Sequence, residues 1–237
     1  MRMRKKKHGP ERIAACGEYL LSDRAAIGEW KTENPDRFPC SLEIGCGKGD
    51  FALGMAARQP GKAFVAMERD ADVALLAMEK AKAAGIDPAG LRFLIQNARD
   101  LQTLFLPGEI SEIYLNFSDP WPKKGYYKRR LTYRAFLDLY KSLLPPDGKI
   151  FFKTDNAGLF EFSLAEFEAS GFFLRNVTDD LHASPLNAGN IETEYERNFS
   201  AKGFSIHYCE AYLDPAHPAP AHTPTEKELT ASDGTTD

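Results

Sequence analysis

The segment Leu42-Glu-Ile-Gly-Cys-Gly-Lys-Gly-Asp-Phe51 carries an apolar strand into a helix through three glycines, Gly45, Gly47 and Gly49. Glycine tolerates the left-handed backbone of a tight turn and lets a ligand approach the main chain, so this reads as a first βα turn built for binding. Its spacing is G-x-G-x-G. Asp50 stands where a dinucleotide fingerprint would need its third glycine, and an acid at a helix start repels a pyrophosphate. A nicotinamide-dinucleotide site is therefore disfavoured. Glu43, just before the turn, suits a cationic group such as the amino end of an amino-acid cofactor.

Outward from this turn, β-rich runs alternate with amphipathic stretches. The pattern predicts strands over Ser41–Ile44, Ala63–Glu68, Leu91–Gln96, Glu112–Phe117, Lys149–Thr154, Phe172–Val177 and Ser205–Leu213. Helices are expected over Phe51–Arg58, Ala71–Ala84, Thr132–Leu144 and Leu159–Ala169, with Gly85, Gly148 and Gly171 where helices should stop. Strands separated by helices imply parallel βαβ units with right-handed crossovers. Residues 178–204 carry polar and turn residues rather than a long helical pattern, which predicts a final antiparallel strand. The expected fold is α/β, a Rossmann-like, doubly wound sheet of seven strands, mostly parallel, over residues 36–213. Residues 1–35 read as a basic extension with a short helix around Ala14–Trp30, and residues 214–237 as a disordered acidic Pro/Ala/Thr tail.

The chain has 237 residues, 43% hydrophobic and 11% aromatic, which suits one domain with a real core and excludes collagen-like or wholly disordered classes. No apolar run approaches the roughly 18–20 residues of a membrane span. No apolar stretch follows the basic start Met1-Arg-Met-Arg-Lys-Lys-Lys-His8, so no secretory signal is expected. Cys16, Cys40, Cys46 and Cys209 contain no Cys-x-x-Cys pair, and the five histidines show no metal spacing. Free thiols, no metal and a cytoplasmic setting are expected.

The net charge of −4 hides its distribution. Residues 214–237 hold five acids against Lys227 alone, so the body of the chain is neutral. Within that body Lys123, Lys124, Lys128, Arg129, Arg130 and Arg134 cluster in an acid-free stretch from Pro120 to Leu137. A polyanionic partner is consistent with this. The cations at the chain start, taken alone, read as a solvated surface.

Three further strand ends add chemistry. The second predicted strand ends at Glu68, placed to accept both hydroxyls of a ribose, and the third leads to Asn97, which suits an adenine edge. Glycine turn, acid and amide together describe an S-adenosylmethionine pocket. The fourth delivers Asp119 to the carboxyl edge of the sheet, where ligands of open α/β sheets bind. Pro120 and Pro122 stiffen the loop that follows, and Trp121, Tyr126, Tyr127 and Tyr133 interleave with its cations. Cations contact phosphates, and aromatic faces stack on splayed-out bases for roughly 1–3 kcal/mol each. Trp121 also reads simply as a core anchor.

Leu42–Asp50, Asn116-Phe-Ser-Asp-Pro-Trp-Pro-Lys-Lys124, Lys128-Arg-Arg130, Phe152-Lys-Thr-Asp-Asn156 and Thr193-Glu-Tyr-Glu-Arg197 are, in this order, similar to the bacterial tRNA (guanine-N7-)-methyltransferases. The likeness spans roughly Arg2 to Leu213. It implies a seven-stranded methyltransferase fold that methylates N7 of a guanine in the tRNA variable loop, position 46, with S-adenosylmethionine as cofactor and tRNA as partner. Monomer and homodimer both fit. Residue by residue it implies that Glu43, Gly45, Gly47, Glu68, Asn97 and Asp119 hold the cofactor, Asp119 being also the catalytic position. Lys123, Asp155, Thr193, Glu194, Tyr195 and Glu196 would bind substrate, and Gly125, Tyr126, Tyr127, Lys128, Arg129 and Arg130 the RNA. Asn97 departs from the Asp that members often carry, and an amide can both donate and accept at adenine.

Guanine N7 already presents a lone pair, so the protein's task is alignment rather than proton removal. N1–H and N2–H₂ of guanine are adjacent donors that one carboxylate accepts together; Asp119, Asp155 and Glu196 are the candidates. Read without the resemblance, the 193–197 segment is an unassigned polar loop whose alternating charges suit solvent. Two other readings compete. An exocyclic-amine methyltransferase shares a partial likeness at Asp119-Pro-Trp-Pro122, and a non-catalytic RNA-binding module is opposed by the intact turn with Glu43 and Glu68.

Overall fold

The structure is a computed structural model that describes residues 6–213. In chain order its elements are α1 (Gly9–Ala14), β1 (Leu20–Leu21), α2 (Arg24–Glu33), β2 (Cys40–Ile44), α3 (Asp50–Arg58), β3 (Phe64–Glu68), α4 (Ala71–Ala83) and β4 (Leu91–Ile95). There follow α5 (Leu101–Leu104), β5 (Ile110–Asn116), α6 (Arg134–Leu143), β6 (Lys149–Thr154), α7 (Ala157–Ala169), β7 (Phe173–Thr178), α8 (Glu194–Ser200) and β8 (His207–Tyr212). They form one sheet in the order β1-β4-β3-β2-β5-β6-β8-β7. All neighbours are parallel except β8, which runs antiparallel to both β6 and β7.

β2 is buried along its whole length, as a central parallel strand covered on both faces must be. One core layer sets Ile27, Trp30, Leu137, Tyr140 and Phe167, from α2, α6 and α7, against the sheet. The other sets Phe51, Met55, Ala77 and Met78, from α3 and α4, against Phe64 and Phe93. Strand order reverses between β2 and β5, because the chain winds outward to β4 on one side and returns to β5 on the other. In such sheets the crevice at the carboxyl ends of the two diverging strands is the natural ligand site.

Helix starts are specified locally. Asp70 accepts from the backbone N–H of Asp72 at 3.0 Å to cap α4, and Asn156 accepts from Leu159 N–H at 2.8 Å to cap α7. Each of the seven expected strands and four expected helices is present, with ends displaced by two residues or fewer.

Three expectations need correction. The sheet has eight strands rather than seven. The extra one, β1, is two residues long, pairs Leu20 and Leu21 with Phe93 and Leu94, and is too short to show periodicity. The helix expected around Ala14–Trp30 is broken into α1, a 3₁₀ turn, β1 and α2, since Asp23 starts a new helix by accepting from Ala26 N–H. α2 is thereby part of the same core: Ile27 and Trp30 are buried in it, and Arg24 and Lys31 pair with the buried Glu109 at 2.5 and 3.0 Å. Third, the 193–197 segment, read on its own as a polar loop, opens the short helix α8. The expected tail at 214–237 and the cations Arg2, Arg4 and Lys5 lie outside the described residues.

No helix among the described residues is long and apolar enough to cross a membrane. All four cysteines are free and buried.

Candidate active site

Gly45 and Gly47 take φ of 84° and 56°, in the left-handed region, and no atom lies within 4 Å of where a Cβ would stand on either. Gly49 serves packing instead: a Cβ there would come within 2.8 Å of Ala77 Cβ on α4. The turn thus presses α3 onto its neighbour and leaves bare backbone facing a cavity of about 600 Å³, lined among others by Gly45, Glu68, Asn97, Asp119 and Trp121. A second cavity of about 350 Å³ adjoins it at Gly45 and Phe117 and is lined by Glu43, Gly47, Asn116, Thr193, Glu194 and Tyr195. The sequence-predicted cofactor residues are therefore brought together across the two.

Glu43 is 2% exposed. Its Oε1 accepts from Asn116 Nδ2 at 2.9 Å, whereas Oε2 is buried with no partner among the described residues. Burial pushes this carboxyl up to about 7, against the Asn116 hydrogen bond and the nearby Lys153 charge that favour ionisation. An orphaned buried carboxylate oxygen beside an open turn is a receptor for a cation. Glu68 accepts from Gly47 N–H at 3.2 Å and from Asp70 N–H at 3.0 Å, which fixes it across the turn at the end of β3. Asn97 accepts from Arg99 N–H at 3.0 Å and is exposed at the end of β4. Asp119 is exposed and pairs with Arg69 at 3.4 Å, directly after Glu68.

The loop after β5 is held in an unusual shape. Phe117 and Trp121 have φ of 52° and 41°, a backbone region that costs non-glycine residues of the order of 1–3 kcal/mol. Phe117 N–H donates to Lys153 O at 2.8 Å, and Arg130 Nε donates to Pro120 O at 2.8 Å, so the strained turn is tied on both sides. Trp121 is neither a buried anchor nor a bare stacking face: it lines the larger cavity with the Arg129 guanidinium 5.0 Å from its ring centroid. Arg129 also lies 4.5 Å from the Tyr126 ring centroid. Of the six residues expected at the RNA, Arg130 is thus a strut, while Arg129 is exposed and lines the larger cavity. Gly125, Tyr126, Tyr127 and Lys128 are exposed, as is Lys123.

The 193–197 segment differs most from its solvent-loop reading. Thr193 accepts from Glu196 N–H at 2.9 Å and Glu196 accepts back from Thr193 N–H, a capping box that opens α8. Glu194 pairs with Lys48 at 2.9 Å, and its N–H donates to Asp50 Oδ2 at 3.2 Å, docking α8 onto the glycine turn. Tyr195 stacks on Phe199 at 4.2 Å, tilts against Phe117 at 5.0 Å and donates its hydroxyl to Asp155 at 3.3 Å. Burial and Asp155 hold that phenol up to about 12, so at neutral pH it is a donor.

Glu196 is fully buried with both oxygens engaged: Oε2 with Lys153 at 2.5 Å, Oε1 with His182 Nε2 at 2.8 Å and Asn190 Nδ2 at 2.7 Å. Burial raises its carboxyl, but Lys153 and the hydrogen bonds outweigh this and hold it below the usual range. It is therefore not free to grip a base. Lys153, Asn116, His182 and Asn190 are site residues that sequence reasoning missed. The signal was present for Lys153 and Asn116, polar residues directly after the apolar runs Ile150-Phe-Phe152 and Ile113-Tyr-Leu115; His182 and Asn190 lack one. No group of metal-ligating side chains occurs among the described residues.

A doubly wound sheet with a bare glycine turn facing a cavity at its carboxyl edge defines a Rossmann-like ligand-binding site. The comparisons agree: a family model described as "Putative methyltransferase" matches residues 37–209. The 16S rRNA methyltransferase KamB superposes with a TM-score of 0.59 at 15% identity, covering 82% of this chain and 95% of its own, which shows the fold. Proteins named tRNA (guanine-N(7)-)-methyltransferase, from Geobacillus sp. (strain WCH70) and Streptococcus suis (strain 05ZYH33), are 44% and 43% identical. They cover 92% and 89% of this chain and 98% and 99% of their own lengths. The chain belongs to the tRNA (guanine-N7-)-methyltransferase family of methyltransferases.

Proposed function

We propose that this chain transfers the methyl group of S-adenosylmethionine to N7 of a guanine in the variable loop of tRNA. The observation that carries the reading is the orphaned Glu43 Oε2, buried beside a bare glycine turn with Glu68 at the next strand end. A cationic α-amine satisfies the former, and a ribose diol suits the latter. Asn97 and Asp119 extend the same cavity toward the adenine and the reacting centre. When bound, the cofactor supplies a reactive sulfonium methyl.

The chain's own residues orient the acceptor. Tyr195, backed by Phe199, offers a ring face for the purine, and Asp155 stands at its hydroxyl. Asp155 and Asp119 are the carboxylates open to guanine's N1–H and N2–H₂ donors, since Glu196 is committed to Lys153. A carboxylate near the ring also favours the positive charge that develops on methylation. No general base is needed at N7. Exposed Lys123, Lys124 and Lys128, with Tyr126 and Tyr127, rim this edge and suit phosphate and base contacts.

Labelled methyl transfer to bulk tRNA, followed by nucleoside identification, tests the reading. The label should appear as 7-methylguanosine, and acceptance should vanish when the target is 7-deazaguanosine. Label retained on the deaza substrate would move the reaction to an exocyclic amine.

A further inference from the structure

We propose that Lys153 is a positioning residue shared by both ends of the site, its one buried ammonium holding the 182–196 segment through Glu196 while serving as counter-ion to Glu43 in the cofactor pocket. The inference rests on the assignment of the Glu43 cavity to the cofactor.

Lys153 is 3% exposed on β6 and pairs in register with Asn116 of β5, whose amide holds Glu43 Oε1 at 2.9 Å. An ammonium has three protons to donate. The neighbours within reach are Glu196 Oε2 at 2.5 Å, Asn190 Oδ1 at 2.9 Å and Ile191 O at 3.1 Å, all in the substrate-side segment. The charge also sits 5.7 Å from the ring centroid of Phe51, in the first turn of α3, and 5.6 Å from that of Phe117, where the Asp119 loop begins. One cation thus touches the substrate segment, the helix that follows the glycine turn and the catalytic loop.

Two buried carboxylates depend on it unequally. Glu196 takes its hydrogen bond; Glu43 feels only its field, which in a dry interior acts over several ångströms. The other charged groups facing Glu43 are Glu68 and Asp50, which oppose its ionisation, and Glu192 faces Lys153. Lys153 is therefore the favourable charge for Glu43 among these neighbours. A change in how firmly Glu196 holds Lys153 alters what remains for Glu43, so cofactor and tRNA should bind with linked affinities.

Calorimetric titration with S-adenosylhomocysteine from about pH 6 to about pH 8.5 tests this, alongside tRNA affinity. Burial holds Glu43 up to about 7, and a cationic amine needs it ionised, so wild-type affinity should rise with pH through neutrality. In Lys153→Met that rise should move to higher pH, with affinity at neutral pH down about fivefold and recovered at the alkaline end, as expected for a displacement of roughly one pH unit. In Glu196→Gln the Lys153 charge is left to Glu43, so the rise should move to lower pH while tRNA affinity falls. Opposite displacements exclude a merely structural role, since general loosening would weaken cofactor binding in both. If Lys153→Met does not fold, Lys153→Met/Glu196→Gln removes both charges, and its rise should lie at higher pH than that of Glu196→Gln, from which it differs only by the Lys153 charge. If neither folds, the sign of the Glu196→Gln displacement decides. Wild-type protein that binds no S-adenosylhomocysteine overturns the cofactor assignment. Wild-type binding with unmoved or like-signed variant profiles overturns the role of Lys153.

Discussion

Two ion pairs flank the candidate site and differ in almost every respect. Arg69–Asp119 spans 3.4 Å with both side chains about two-thirds exposed, 64% and 65%. Lys153–Glu196 spans 2.5 Å with side chains 4% and 0% exposed. The first lies on the larger cavity, where water can replace either partner and a ligand can displace one at little cost. The second ties β6 to the 182–196 segment, where neither charge can be left alone. Solvent exposure, rather than the presence of an acid in a motif, separates a group free to meet ligand from one that builds the site. Asp119 and Glu196 both come from motif segments, and they fall on opposite sides of this division.

The buried pair offers the strongest test. Lys153→Met leaves Glu196 without its cation in a dry environment, and breaking a buried pair this way costs about 3–5 kcal/mol. Urea unfolding should show that loss, and the double variant Lys153→Met/Glu196→Gln should recover most of it. A single variant as stable as wild type would mean that His182 and Asn190 suffice to hold Glu196.

Acid sharpens the comparison from the other partner. Lys153 and the hydrogen bonds keep the Glu196 carboxyl below its ordinary value. A depressed carboxyl contributes stability that is complete above the unfolded value of about 4.3 and is lost as pH falls through the lower folded-state value. The stability difference between wild type and Glu196→Gln should therefore hold constant from neutral pH down to the carboxylate range and shrink below it. A gap unchanged in strong acid would show that Glu196 is protonated in the fold throughout.

The same division explains what the sequence made legible. The side we propose for the cofactor is written in local signals: glycines at Gly45, Gly47 and Gly49 whose backbone no other residue adopts freely, and acids one strand end apart at Glu43 and Glu68. These act where they stand, because a strand end puts its last residues at the crevice whatever the rest of the chain does. The side we propose for the substrate depends on long-range docking. Thr193-Glu-Tyr-Glu-Arg197 looks like a solvated loop by charge alternation, yet Glu196 is buried because Lys153, forty-three residues earlier, meets it. The threonine and glutamate three apart are a capping-box signature that was legible as a helix start. β1 stayed hidden for another reason: two residues carry no period, and their pairing with β4 is tertiary.

The exposed pair gives the smallest expected change. Arg69→Ala should lower stability by less than about 1 kcal/mol, because its partner is solvated with or without it. What remains of the pair's attraction is screened by salt, so the difference should narrow further as ionic strength rises. Its consequence is positional: Arg69 and Asp119 line one cavity, and the Arg69 guanidinium biases Asp119 toward the β3 end of the crevice. Methyl transfer measured at saturating tRNA should therefore respond to Arg69→Ala more strongly than folding does. A variant that unfolds readily yet turns over normally would place the structural weight on Arg69 and remove the contrast between the two pairs.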